Sequence, residues 1–259
     1  MKIQLFQIDA FTENVFGGNP AAVCPLKEFL EPELLQKIAT ENNLPETAFF
    51  TKNSFGFDIR WFTPETEIDL CGHATLAAAH VLFNHYGFNK KQVVFDSKSG
   101  TLKVTKKGDM LCLDFPANNP VRVESPEQLE AALGAKPLEV YKSRDILAIF
   151  ENENEIKNIT PDFELLKQID CMGVIVSAKG NNCDFVSRFF APSVGINEDP
   201  VTGSAHTILI PYWAKKLNKN KMHAFQISKR RGELFCELTG KRVLISGKAA
   251  TYLIGEINF

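Results

Sequence analysis

The sequence predicts an α+β protein of two similar halves, each a curved, mostly antiparallel sheet around a central helix, related as a pseudo-twofold pair. Three observations carry this. An alternating strand ending at proline occurs twice, as Arg60-Trp61-Phe62-Thr63-Pro64 and as Arg188-Phe189-Phe190-Ala191-Pro192. Each strand is followed by a small-residue motif that opens an apolar, helix-like stretch: Cys71-Gly72-His73-Ala74-Thr75 before LAAAHVLF, and Thr202-Gly203-Ser204-Ala205-His206 before TILIPYWAKKL. After each helix comes a strand, a charged turn at glycine and another strand, QVVFDSKSGTLKV around Gly100 and FQISKRRGELFCEL around Gly232. Arg60 to Gly72 is 12 positions and Arg188 to Gly203 is 15, whereas Gly72 to Gly100 is 28 and Gly203 to Gly232 is 29. A register kept over three elements, with R-[WF]-F-[TA]-P and G-[HS]-A in common, marks a duplicated unit carrying a three-residue insertion in its second loop.

The remaining elements follow in chain order. MKIQLFQIDAF is a short alternating run, too short and too polar to be the apolar core of a signal peptide. Helices are predicted over 31–42, 126–133 and 161–170, the first and last opening with proline and early acids that suit a helix N-terminus. Strands fill most of the rest. The Pro- and Asn-rich segment from Pro116 to Glu127 lies between the copies and is the candidate linker, which puts the halves at 1–118 and 119–259, with the last strands able to return to the first half. A cleft between two such halves is the default place for a ligand.

Composition narrows the function. At 259 residues each half can bury its own core, so neither metal nor disulfides are needed to hold the fold. Charges are balanced, 29 Lys+Arg against 31 Asp+Glu, which predicts no basic face for nucleic acid. Six cysteines stand singly, without the close Cys/His spacing that holds zinc, and five read as small buried hydrophobes. Cys71 differs because of its neighbours. Reduced thiols, no export signal and no apolar run long enough to span a membrane point to the cytoplasm.

Candidate site residues cluster at the two helix starts. Gly72 and Gly203 each expose backbone N–H groups and a positive helix end, which together bind a carboxylate or phosphate without a charged side chain. A glycine also makes an ordinary tight turn. His73 carries imidazole chemistry at the first helix start, suited to shuttling a proton or donating to an anion. Asp199, held extended by the following proline, and Ser204 occupy the second; an Asp before Pro serves equally as a turn residue. Glu46, in Asn42-Asn43-Leu44-Pro45-Glu46-Thr47, lies between a helix end and an apolar strand, where a carboxyl group loses hydration and suits general acid/base work. From that segment alone a solvated turn glutamate is as good a reading. Asn19, in Phe16-Gly17-Gly18-Asn19-Pro20, either orients a substrate or ends a hairpin.

Four segments, QIDAFTENVFGGNPAAV, NNLPETAFF, RWFTPETEIDLCGHATLAAAHVL and NEDPVTGSAH, together resemble the PhzF-like (phenazine biosynthesis) family and follow its order over nearly the whole chain. The resemblance implies the diaminopimelate-epimerase-like fold, a site between two halves, a homodimer, and no metal or organic cofactor. It places the family's catalytic glutamate on Glu46 and its substrate-holding groups on Gly72, His73, Asp199, Gly203 and Ser204, and implies a cofactor-independent isomerase that moves a proton on a small carboxylate-bearing substrate. The related epimerases and racemases use two cysteines, one per half; here the first position is Cys71 but the second is Thr202, a poor substitute for a thiolate. Two alternatives stay open: a cysteine-using epimerase in which Cys71 works with another base, and a non-catalytic binding protein on the same fold.

Overall fold

The computed structural model describes all 259 residues, which form two compact units: Met1–Asp114 with Ser246–Phe259, and Phe115–Ile245. The second unit begins at Phe115, a few residues before the cut drawn at 118, and the final strand belongs with the first unit. In chain order the first unit carries β1 (Lys2–Ala10), β2 (Asn19–Leu26), α1 (Pro32–Asn42), β3 (Glu46–Lys52), β4 (Phe57–Phe62), β5 (Glu67–Ile68), α2 (Gly72–Asn84), β6 (Gln92–Ser97), β7 (Gly100–Lys107) and β8 (Met110–Pro116), within which the chain passes into the second unit. There follow β9 (Val121–Val123), α3 (Leu129–Leu133), β10 (Glu139–Lys142), β11 (Ile146–Ile149), α4 (Glu153–Asn158), α5 (Phe163–Lys167), β12 (Val174–Lys179), β13 (Phe185–Phe190), α6 (Gly203–Leu217), β14 (Lys221–Gln226) and β15 (Gly232–Thr239). The chain returns within β16 (Arg242–Gly247) and ends with β17 (Ala249–Asn258), paired antiparallel with β1.

The pairing order is the same in the two units. From β1 through β2, β3, β4 and β6 to β7 the ladders run antiparallel, parallel, antiparallel, parallel, antiparallel, and from β10 through β11, β12, β13 and β14 to β15 they do so again. A parallel pair needs a long crossover between its strands, and that is where the helices lie. Helix α1 bridges β2 to β3 and α2 bridges β4 to β6; α4 and α5 bridge β11 to β12, and α6 bridges β13 to β14. The duplication therefore begins well before the arginine strand where residue identity first shows it.

The central helices are apolar on every side, which marks a helix wrapped by its surroundings. In α2 every residue from His73 to Phe83 is buried, and its alanines at 74, 77, 78 and 79 let the strands approach closely. In α6 the buried run is Ala205 to Ala214. It includes Pro211, which has no N–H to give the carbonyl four residues back. That carbonyl, on Thr207, accepts instead from the Asn118 backbone N–H at 3.0 Å, while Asn118 Nδ2 donates to Thr207 Oγ1 at 2.9 Å. An asparagine near the start of the Pro/Asn-rich segment thus completes the broken turn of the helix. A second apolar cluster under α3, α4 and α5 includes Leu133, Phe150, Ile156, Leu166 and Phe190, and in the first unit Leu35 and Ile38 of α1 pack with Phe49 and Phe62.

The two proline-ended strands carry the same ion pair. Arg60 Nε and Nη2 donate to the two carboxylate oxygens of Glu67 at 2.8 and 2.9 Å, and Arg188 Nε and Nη2 to those of Glu198 at 2.7 and 3.0 Å. Glu67 and Glu198 each precede their helix glycine by five residues, so the three-residue insertion lies between Arg188 and Glu198. A single 3₁₀ turn over Pro192–Val194, closed by Gly195 at φ 83°, occupies that stretch.

Three local expectations are corrected. The helix expected over 126–133 shortens to Leu129–Leu133, because Pro126 turns the chain and its carbonyl accepts from Leu129 N–H. The helix over 161–170 shortens to Phe163–Lys167, where the Asp162 carboxylate caps the N–H groups of Glu164 and Leu165. Helix α4 was not anticipated; its signal is Asn152, which accepts from Glu155 N–H as an N-cap. The echo of Gly100 in Gly232 also has two different causes. Gly100 sits at φ 95° in its turn, whereas a side chain at Gly232 would meet Val201 Cγ2 at 2.2 Å.

Candidate active site

In the first unit three element starts place their first residues together. Asn19 opens β2, Glu46 opens the neighbouring parallel strand β3, with Ala21 opposite Glu46, and Cys71 is the residue before α2. Glu46 Oε2 lies 3.0 Å from His73 Nε2, close enough for an ion pair, although the ring N–H is not aligned for a hydrogen bond. On the other side of the ring, Nδ1 is 3.5 Å from Cys71 Sγ and 3.2 Å from Asn19 Nδ2. All four residues are buried. The Asn19 contact suits a neutral ring accepting at Nδ1; an imidazolium calls for the amide oxygen at that place, which a half-turn of the amide supplies.

The electrostatics favour charge on this ring. Burial opposes the His73 imidazolium, but the Cys71 sulfur as hydrogen-bond acceptor on one side and the Glu46 carboxylate on the other hold His73 above the ordinary histidine value. Burial, with the Glu46 charge adding to it, pushes the Cys71 thiol up against a weaker pull from His73, so Cys71 is a poor thiolate at neutral pH. The ligand-type atoms of Glu46, Cys71 and His73 lie within 4.8 Å of one another. Glu46 and Cys71 nevertheless flank different ring nitrogens, which point apart in the ring plane. The arrangement as it stands suits proton movement through the ring better than three ligands on one ion.

The turn that leads to Asn19, read from Phe16-Gly17-Gly18-Asn19-Pro20, is held by Asp9, a residue that was not singled out from sequence. Phe16 N–H donates to Asp9 Oδ2 at 2.8 Å, Phe16 adopts φ 72° and Gly18 φ 59°, and a side chain at Gly18 would meet Ala10 O at 2.0 Å. The signal for it was present in QIDAF, an acid within an otherwise apolar alternation. His80 and His85 are structural. Each has its Nε2 within 2.9 Å of Thr251 Oγ1 on β17.

In the second unit the segment Asp199–Thr202 is pinned before α6. Thr202 Oγ1 donates to Asp199 Oδ2 at 2.6 Å, so it does not cap its own helix, and no side chain does. Gln226, fully buried at the end of β14, accepts from Thr202 N–H at 2.8 Å and donates to Asp199 O at 2.7 Å. Ser228 Oγ donates to Pro200 O at 2.9 Å. Gln226 was missed from the sequence because a lone glutamine at a strand end carries no chemical signature. His206, next to Ala205 on α6, has its Nδ1 2.8 Å from Thr202 O, and burial lowers its pKa to about 4. Ser204 is half-buried, and its Oγ accepts from Arg144 Nη2 at 2.9 Å. Cys71 has no side-chain capping bond to α2 either. Both helices therefore begin with backbone N–H groups that no cap residue fills, as the anion-binding reading of Gly72 and Gly203 requires. No helix is long and apolar enough to cross a membrane.

Comparison with known proteins bears on this geometry. Residues 8–255 match the PhzC-PhzF model, described as phenazine biosynthesis-like protein. An uncharacterized isomerase of Pseudomonas aeruginosa is 49% identical over the full length of both chains. The crystal structure of a phenazine biosynthesis protein of the PhzF family from Enterococcus faecalis is 50% identical, covers all of both chains and superposes with a TM-score of 0.99. A hydroxyproline epimerase from Agrobacterium vitis, 11% identical with a TM-score of 0.64 over 99% of this chain and 92% of its own, shares the fold.

Proposed function

The chain belongs to the PhzC-PhzF family of phenazine biosynthesis-like proteins and is an isomerase, and from that premise we propose that it moves a proton on a small carboxylate-bearing substrate with Glu46 as the single acid/base. The observation that carries the reading is the buried contact of Glu46 with His73. In the forward step the Glu46 carboxylate takes a proton from one carbon, leaving electron density delocalised over the substrate, and the carboxylic acid so formed returns a proton at another carbon. An imidazolium at His73 steadies the carboxylate before the transfer and the developing negative charge after it. Asn19, Gly72, Asp199, Gly203 and Ser204 hold substrate in this reading, the two glycines through helix N–H groups. No metal or organic cofactor enters it.

The cysteine-pair reading is disfavoured at both positions. Cys71 is held as a thiol, and Thr202 spends its hydroxyl proton on Asp199. The test of function is a screen of candidate carboxylates, dihydro-hydroxyanthranilate and common amino acids among them, for deuterium uptake from D₂O by mass spectrometry. Uptake by wild type that disappears in Glu46→Gln supports the reading; a ligand that binds without exchange identifies a non-catalytic binding protein. We also propose a homodimer resident in the cytoplasm, in keeping with six unpaired cysteines. A monomer by light scattering at micromolar concentration overturns the dimer.

A further inference from the structure

Beside Ser204, at the start of α6, lies a cation that no motif announces. Arg144 sits in the three-residue turn between β10 and β11, a turn closed by Ser143 N–H donating to Asp145 O at 3.0 Å. Its Nη2 donates both to Ser204 Oγ at 2.9 Å and to Asp145 Oδ2 at 3.1 Å. Those two bonds use both protons of Nη2. The remaining three N–H groups of the guanidinium, on Nε and Nη1, have no protein acceptor, and the side chain is 45% exposed.

Asp145 is the unusual member. It is fully buried, and its Oδ1 has no hydrogen-bond partner. Burying a carboxylate costs free energy that one bond to a half-exposed arginine does not clearly repay, so stability alone is a weak reason for it. What it does achieve is to fix the guanidinium plane against Ser204. Because Ser204 Oγ accepts from Arg144, its own hydroxyl proton remains to be donated. Around the open start of a 15-residue helix the fold thus gathers helix N–H groups, one hydroxyl donor and a clamped arginine.

We infer that Arg144 is the recognition residue for the substrate's carboxylate, with Asp145 as the residue that positions it and Ser204 as its partner donor. The inference rests on the reading above only in taking the substrate to carry a carboxylate; it is independent of Glu46. It also supplies what the bare helix start lacks, since a guanidinium offers a planar two-pronged match to a carboxylate that backbone N–H groups do not. A neutral amide isostere that keeps the shape of the anion should bind more weakly, because its NH2 group faces guanidinium N–H donors where a carboxylate oxygen accepts.

The probe pair is benzoate and benzamide, titrated against ¹⁵N-labelled full-length protein up to about 50 mM, which covers millimolar affinity. The Arg144 Nε–H signal is assigned by its loss in Arg144→Lys. The expected result is a saturable shift of that signal with benzoate and at least tenfold weaker response to benzamide. Thermal stabilisation by benzoate should be present in wild type and in Glu46→Gln, and absent in the double variant Arg144→Gln/Asp145→Asn, which removes both charges and so leaves no buried unpaired carboxylate. Equal response to the two probes, no saturable shift, or benzoate stabilisation retained in the double variant overturns the inference. Loss of deuterium exchange in Glu46→Gln with benzoate binding intact separates the proton-transfer reading from this one.

Discussion

At the scale of single residues, the contact that organises the first unit is a histidine between an acid and a thiol. Its protonation has a definite signature. Because the folded-state pKa of His73 is raised above the unfolded value of about 6.5, the ring stays charged through the pH where free histidine titrates. The stability it contributes is complete below about 6.5 and is lost as pH rises through the folded value. A pH profile of kcat/KM for wild type should therefore show no His73 break near 6.5, and the break that disappears in His73→Asn should lie well above it. A break near 6.5 abolished by that substitution would show that the active form carries a neutral ring. Cys71→Ser should lower turnover by less than the roughly 10²- to 10⁴-fold that loss of a general acid/base costs, because the buried thiol is only a neighbour of the ring.

Single residues also show what the sequence could and could not tell. Glu46, Cys71 and His73 were named from motifs, and the fold brings their side chains together in one unit; Asp199, Thr202 and Ser204 are gathered in the other. The supports escaped notice. Asp9, Gln226 and Arg144 act by holding a turn, a loop and a serine, roles that depend on which strand ends meet and leave no local pattern.

At the scale of elements, the duplicated arginine strands make a comparison available within one chain. Arg60 spends its bonds on Glu67, whereas Arg188 also gives Nη1 to the carbonyls of Ile156 and Ile159, tying the α4 end to β13. Lysine keeps the charge but cannot make the forked contact. Arg188→Lys should cost about 2–4 kcal/mol and Arg60→Lys about 1–2 kcal/mol, given about 1.5–3 kcal/mol for a hydrogen bond to a charged group, read as shifts in urea midpoint. Equal losses would mean that the two carbonyl bonds add nothing. The Arg60 hydrogen bond also drives the Glu67 pKa down to about 2. Its contribution is present above the unfolded value of about 4.3 and fades as pH falls towards 2. The element order was legible because alternation, helix-opening glycines and turns recur at kept spacing. The earlier half of each repeat was not legible, because β1–β2–β3 and β10–β11–β12 share pairing without sharing residues.

At the scale of the whole molecule, two buried histidines set an acid limit. His206 and His80 each have a pKa lowered to about 4, in both cases chiefly by burial. The unfolded chain takes up protons at these positions from about pH 6.5 downward while the folded chain does not, so stability falls between about 6.5 and 4 and the loss from this source then levels off. The combined loss should be on the order of 7 kcal/mol, about half from each ring. Urea midpoints at pH 7, 5.5 and 4 should fall in that order, and a flat profile would contradict the assignment of neutral, buried rings. The fold class and the family were readable from four sequence segments; how the strands pair was not, since parallel neighbours are joined through helices whose crossovers no local pattern specifies.

The claim on which the account turns is that one glutamate, and not a cysteine pair, moves the proton. The most direct measurement is deuterium incorporation from D₂O into an exchanging carboxylate by wild type, Glu46→Gln and Cys71→Ser side by side. Incorporation lost in Glu46→Gln and retained in Cys71→Ser is the expected result. Incorporation retained in Glu46→Gln and lost in Cys71→Ser would contradict it and make the thiol the base.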